Sequence, residues 1–130
     1  MEAVVSGYAL IGACDSFAIK ISDKYGNVHE RVVPLKSKSK YQAELAAVKY
    51  VLQVMNKKNI DLIIKTSVAQ VPQIFEKTKA GTFLKRKRQN DLIDDIRELS
   101  SQFSSFQCVI DKDSEEMLEV KEKAKLPSSI

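Results

Sequence analysis

Residues 1–36 of this chain read as strands and helical periodicity begins only at Tyr41, an order that leaves few folds open. Ala3–Ile11 is apolar and β-branched, with a break at Gly7. Phe17–Ser22 alternates, Lys24-Tyr25-Gly26-Asn27 is a turn signal, and Val28–Leu35 resumes the strand character. These segments predict an antiparallel meander of three strands. Tyr41, Leu45, Val48, Leu52 and Met55 then recur at helical spacing, which predicts an amphipathic helix capped by Ser39 and running to about Asn56. Lys57-Lys58-Asn59 supplies the cations and the Asn that helix ends favour.

Beyond that helix, Ile60–Lys65 is a short apolar run of the kind that makes a buried parallel strand. Thr66 or Ser67 is a cap for a short helix reaching Phe75, in which Pro72 is awkward unless the regular helix begins only about there. Lys77–Gln89 reads as a basic loop. Leu92, Ile96, Leu99 and Phe103 predict a second long helix, Phe106–Ile110 a fifth strand, and Ser114 the start of a last helix with Met117, Leu118 and Val120 as its apolar contacts. Three hairpin strands followed by α-β-α-α-β-α predict an α/β domain with a five-stranded mixed sheet and helices on both faces. The expected domain spans residues 1–125, with 126–130 a flexible tail.

The composition, 44% hydrophobic and 29% charged, is that of a soluble globular protein. No apolar run is long enough to span a bilayer and no secretory pattern opens the chain, so the expected location is cytoplasmic, with no membrane partner. Cys14 and Cys108 have no CxxC or Cys/His context and read as small buried hydrophobes. His29 stands on a polar hairpin with no second histidine. Charge is divided along the chain: residues 1–90 hold sixteen Lys/Arg against seven Asp/Glu, a net of +9, and residues 91–130 hold five against ten, a net of −5. Two clusters stand out in the basic part, Lys36, Lys38 and Lys40, and Lys85-Arg86-Lys87-Arg88. Each is either a solvated loop or a surface for a polyanion.

Glu44 is the residue that breaks the pattern. It lies three residues after Tyr41 and four before Val48, at the edge of the apolar stripe. A carboxylate there needs a partner, because burying an unpaired charge is costly. One reading is a rim glutamate that reaches water or a flanking ion pair; the other is an acid that faces a metal or a nucleic acid.

The element order, together with Ala43-Glu44-Leu45-Ala46-Ala47, Ile63-Ile64-Lys65-Thr66-Ser67 and Gln89-Asn90-Asp91-Leu92-Ile93, resembles the ribonuclease H fold, in its type I or reverse-transcriptase-like branch. The resemblance covers nearly the whole chain. It implies phosphodiester cleavage by two divalent ions that four carboxylates hold, the ions activating water and stabilising the leaving oxygen. Carried onto this chain, the first-strand Asp falls on Ser6, in Val5-Ser6-Gly7 where the family has Asp-Gly. The helix Glu falls on Glu44, the fourth-strand Asp on Ser67, and the last acid on Glu119, Glu116 or Glu115.

Two of four ligands are then serines, whose neutral hydroxyls do little to offset the desolvation of Mg²⁺. The expected consequence is a degenerate site with no bound metal; Mg²⁺ or Mn²⁺ would be required only if the chain were active. Between Ser6 and Phe17 the chain has only Gly7 and Gly12, where the family presents several glycines that approach RNA 2′-hydroxyls, so recognition of an RNA/DNA hybrid is also weakened. The basic segment Lys77–Arg88 falls where some family members carry a basic substrate-binding protrusion.

Three functions follow. The first is a pseudoenzyme that binds nucleic acid through Lys36, Lys38, Lys40, Lys85, Arg86, Lys87 and Arg88. The second is a structural subunit with a protein partner. The third is an active nuclease with an unusual ligand set drawn from Glu44, Asp15, Glu119 and Asp113.

Overall fold

A computed structural model of the chain describes residues 1–8, 15–23, 25–35, 39–55, 60–85 and 91–125. Three strands, β1 (Glu2–Tyr8), β2 (Asp15–Ser22) and β3 (Val28–Leu35), form the antiparallel meander. Helix α1 (Lys40–Val54) leads to β4 (Asp61–Thr66), a short helix α2 (Gln70–Gln73), helix α3 (Asp91–Ser100), β5 (Ser105–Ile110) and helix α4 (Glu115–Lys125). The sheet runs in the order β3-β2-β1-β4-β5, with β4 parallel to both β1 and β5. The expected mixed five-stranded sheet is therefore present, and β1 is its central strand.

Side chains alternate across β1, and the alternation assigns each helix to a face. Ala3 and Val5 point into a core shared with Leu45, Val48, Val51 and Leu52 of α1, Ile64 of β4, and Ile93 and Ile96 of α3. Val4 points the other way, to Met117, Val120 and Ala124 of α4 and Ala18 of β2. Burying one Leu- or Ile-sized side chain contributes about 1.5–3 kcal/mol, so the α1 face holds most of the stabilising surface. On the α4 face, the Ser16 hydroxyl donates to the carbonyl of Ala124 and ties the end of α4 to β2.

The helix starts follow the sequence signals. Ser39 Oγ accepts the amide of Gln42 at 3.2 Å, and Ser114 Oγ accepts that of Met117 at 3.1 Å. Several details differ from expectation. Thr66 does not begin a helix: it closes β4, and α2 is a single turn in which no side chain caps the N-terminus. Pro72 is accommodated because it falls among the first residues of that turn, whose amides have no intrahelical partner in any case. The buried side of α3 is Ile93, Ile96, Arg97 and Ser100, with Leu92 and Leu99 only flanking it. Leu118 of α4 is 52% exposed and is not a core contact. The segment expected as a plain loop contains a small ribbon: Lys77 bridges Phe83, Leu84 donates to the Glu76 carbonyl at 3.0 Å, and Gly81 turns the chain at φ 84°. Residues 57–59 and the expected tail 126–130 lie outside the described residues.

Candidate functional site

Where α1 crosses β1, the helix backbone comes so near the strand that a Cβ on Gly7 would sit 2.5 Å from the Glu44 nitrogen and 2.7 Å from the Ala43 Cβ. A glycine on the strand and an alanine on the helix make this approach possible. It carries Glu44 wholly out of solvent. One carboxyl oxygen accepts the Gly7 amide at 2.5 Å and the other accepts the Thr66 hydroxyl at 2.7 Å. Neither a water-facing rim residue nor an ion pair describes Glu44, because its partners are an amide of β1 and a hydroxyl of β4. Helical spacing along α1 carries no information about either strand.

Burial pushes the Glu44 carboxyl above its ordinary value of 4.5. The hydrogen bonds from Thr66 and Gly7, the Lys40 charge and the Ser67 amide act in the opposite direction and do not overcome it. Thr66 serves two groups at once: it donates to Glu44 and its oxygen accepts the Val68 amide at 3.2 Å, turning the chain out of β4.

The other residues singled out from the sequence are distributed as follows. Ser6 and Ser67 each adjoin a partner of Glu44 in the chain, Gly7 and Thr66 respectively. Ser6 is buried, and it lies two residues from Val4 on the face that β1 turns toward α4. Ser67 Oγ is buried with no hydrogen-bond partner among the described residues. Glu119 is exposed on α4, 3.7 Å from Lys20 and 3.1 Å from Lys123, and these cations hold its carboxyl below the usual range. Glu115, Glu116 and Asp113 are exposed. Of Asp15 only the backbone is described, in β2. Cys108 is half-buried on β5, and burial pushes its thiol up to about 12, consistent with a small hydrophobe rather than a thiolate.

These residues do not suit a pair of divalent cations. Two positions offer neutral hydroxyls, the third has both oxygens taken by protein donors, and the acids of α4 are paired or exposed. Among the described residues no group of three or more His, Cys, Asp or Glu is placed to hold a metal ion. Of the cations assigned to nucleic acid, Lys40 and Lys85 are exposed, whereas Lys36, Lys38, Arg86, Lys87 and Arg88 lie outside the described residues.

Arg97 is a functional candidate that the apolar periodicity did not reveal. It is buried on α3, donating from Nε to the Ile74 carbonyl at 2.6 Å and from a terminal nitrogen to the Leu84 carbonyl at 2.8 Å. Its guanidinium also lies 5.0 Å from the ring centre of Phe83. One side chain therefore fixes both ends of the basic ribbon against α3. A charged residue directly after Ile96 was the available signal.

No family model matches the chain and no curated protein matches it by sequence. Solved structures do. An RNase H1 from the halophilic archaeon Halobacterium salinarum NRC-1 superposes with a TM-score of 0.72 at 13% identity over 99% of this chain and 98% of that one. LC11-RNase H1 in complex with an RNA/DNA hybrid gives 0.69 at 13% identity over 93% and 91%. The protease-reverse transcriptase of prototype foamy virus gives 0.79 at 16% identity over 99% of this chain and 21% of that one. The chain has the ribonuclease H-like fold; at these identities the likeness extends to the fold alone.

Proposed function

We propose that this domain binds nucleic acid through its basic ribbon and adjoining cations and does not cleave it. The observation that supports this most is the state of Glu44. In a two-ion nuclease that acid would face the metals, and here both its oxygens join α1 to β1 and β4. With serines at positions 6 and 67, what remains is a scaffold that carries a basic segment at 77–88. Lys77, Lys79 and Lys85 are exposed on the ribbon, and residues 77–88 contain six cations and no acid. One neighbour in fold, LC11-RNase H1, is seen with an RNA/DNA hybrid, which supports a nucleic acid as the partner class.

Binding of the purified protein to duplex DNA, duplex RNA, hybrid and single strands at two salt concentrations tests the reading. Four phosphate contacts from Lys85, Arg86, Lys87 and Arg88 would give a slope of log K on log salt of about −3.6 on duplex DNA. Changing all four to Ala flattens the slope and weakens every sequence equally, since phosphate contacts position without reading bases. No binding at low salt transfers the role to a protein-interaction scaffold. Mg²⁺- or Mn²⁺-dependent cleavage of a hybrid that disappears in Glu44→Gln, but not in a remote surface variant, overturns the inactive assignment.

A further inference from the structure

Four of the five phenylalanines of the chain meet around one cavity of about 320 Å³ at the β5 edge of the sheet. They come from four places: Phe75 follows α2, Phe83 is on the ribbon, Phe103 is in the turn after α3, and Phe106 is on β5. Phe75 and Phe103 lie 4.8 and 6.4 Å from Phe106, both tilted, and all four rings are only partly buried. A volume near 300 Å³ is at the small end for ligand pockets. Lys77 also lines the cavity, with its ammonium 4.9 Å from the ring centre of Phe83.

We propose that this cavity takes one unpaired nucleobase of a single strand, stacked on Phe103 and Phe106, with the adjoining phosphates on Lys77 and the ribbon. This goes beyond the proposed function, and rests on it, by naming the form of nucleic acid bound. Partly exposed aromatic rings beside a cation suit a flat, neutral ring joined to an anionic backbone. An aliphatic ligand would use the rings but not Lys77; a phosphate alone would use Lys77 but not the rings. Ser101 spends its hydroxyl proton on the Glu98 carbonyl at 2.6 Å, which leaves its oxygen at the cavity as an acceptor for an exocyclic amine. A base inside a duplex has no free face to offer, so the cavity selects single strands.

The test compares oligo(dT) with an abasic strand of equal length and charge, both against the unmodified protein at one salt concentration. The abasic strand is expected to bind about 5- to 150-fold more weakly, the range for one lost stacked base. Phe103→Ala is expected to lose the same factor on oligo(dT) and nothing on the abasic strand. Ultraviolet cross-linking of a 5-iodouracil strand is expected to attach it to Phe103 or Phe106. Equal affinity of the unmodified protein for the two strands overturns the pocket while leaving the basic-ribbon reading intact. Binding to no nucleic acid overturns both. If Phe103→Ala unfolds, the comparison of strands on the unmodified protein still decides.

Discussion

The Gly7 amide donates to the Glu44 carboxyl at 2.5 Å, at a crossing where no Cβ on residue 7 would fit between strand and helix. The hydrogen bond and the close approach depend on each other. If α1 moved outward to admit a side chain, Glu44 would lose the β1 amide, and its carboxyl would be buried with a donor on β4 alone.

Gly7→Ala is therefore expected to destabilise the fold by about 2–4 kcal/mol, at or above the usual cost of forcing extra volume into a packed site. The atoms it meets are helix backbone and a Cβ, which cannot rotate away. Gly26→Ala makes a control. Nothing lies near its Cβ position, and only the positive φ of 86° is strained, at about 1–2 kcal/mol. Urea unfolding monitored by circular dichroism ranks the two.

Glu44→Gln tests the buried carboxyl through pH. Because burial raises the folded-state pKa above the unfolded value of 4.5, the stability due to Glu44 is fully present below about pH 4.5 and is lost as pH rises through the folded pKa. A glutamine never ionises and keeps the pattern, its oxygen accepting from Gly7 and its amide donating to Thr66 Oγ1. The stability of the variant minus that of the parent is expected to grow with pH above 4.5 and then level off, while Asp23, Asp111 and Glu119, all held low by their hydrogen-bond partners, cancel in the difference. A flat difference between pH 4 and pH 9 shows that Glu44 is not strained by its burial. Glu44→Ala, which strands the Gly7 amide and leaves a cavity, should cost about 2–5 kcal/mol below pH 4.5, where the parent carboxyl is neutral, and less as pH rises through the folded pKa.

Arg97→Lys should loosen the ribbon selectively. A lysine carries one compact donor group and cannot reach the Ile74 and Leu84 carbonyls with the planar fork that arginine uses. The expected result is a global loss of about 1–3 kcal/mol, the scale for stranding a buried polar group. Amide exchange at Thr78 and Leu84, which close the ribbon on Thr82 and Glu76, should accelerate more than exchange in β1. Equal acceleration in both places would show that Arg97 is simply part of the general core.

In the sequence alone, the switch from strand to helix patterning after residue 36, the apolar run Ile60–Lys65 and the Ser39 and Ser114 caps were enough for the element order and the mixed sheet, because periodicity and capping are local properties of the chain. The anomaly of Glu44 was local as well, a carboxylate where the stripe called for apolar surface. Its partners were not: Gly7 is 37 residues away and Thr66 is 22, and only the packing of α1 over β1 and β4 brings an amide and a hydroxyl onto its two oxygens. The same holds for Arg97, whose burial depends on carbonyls of other segments, and for the four phenylalanines, which share no period and become neighbours only at the edge of the folded sheet. Local pattern determines which elements form, whereas the buried side of α3 and the partners of a buried polar group are set by contacts between elements distant in sequence, and those exist only once the sheet has assembled.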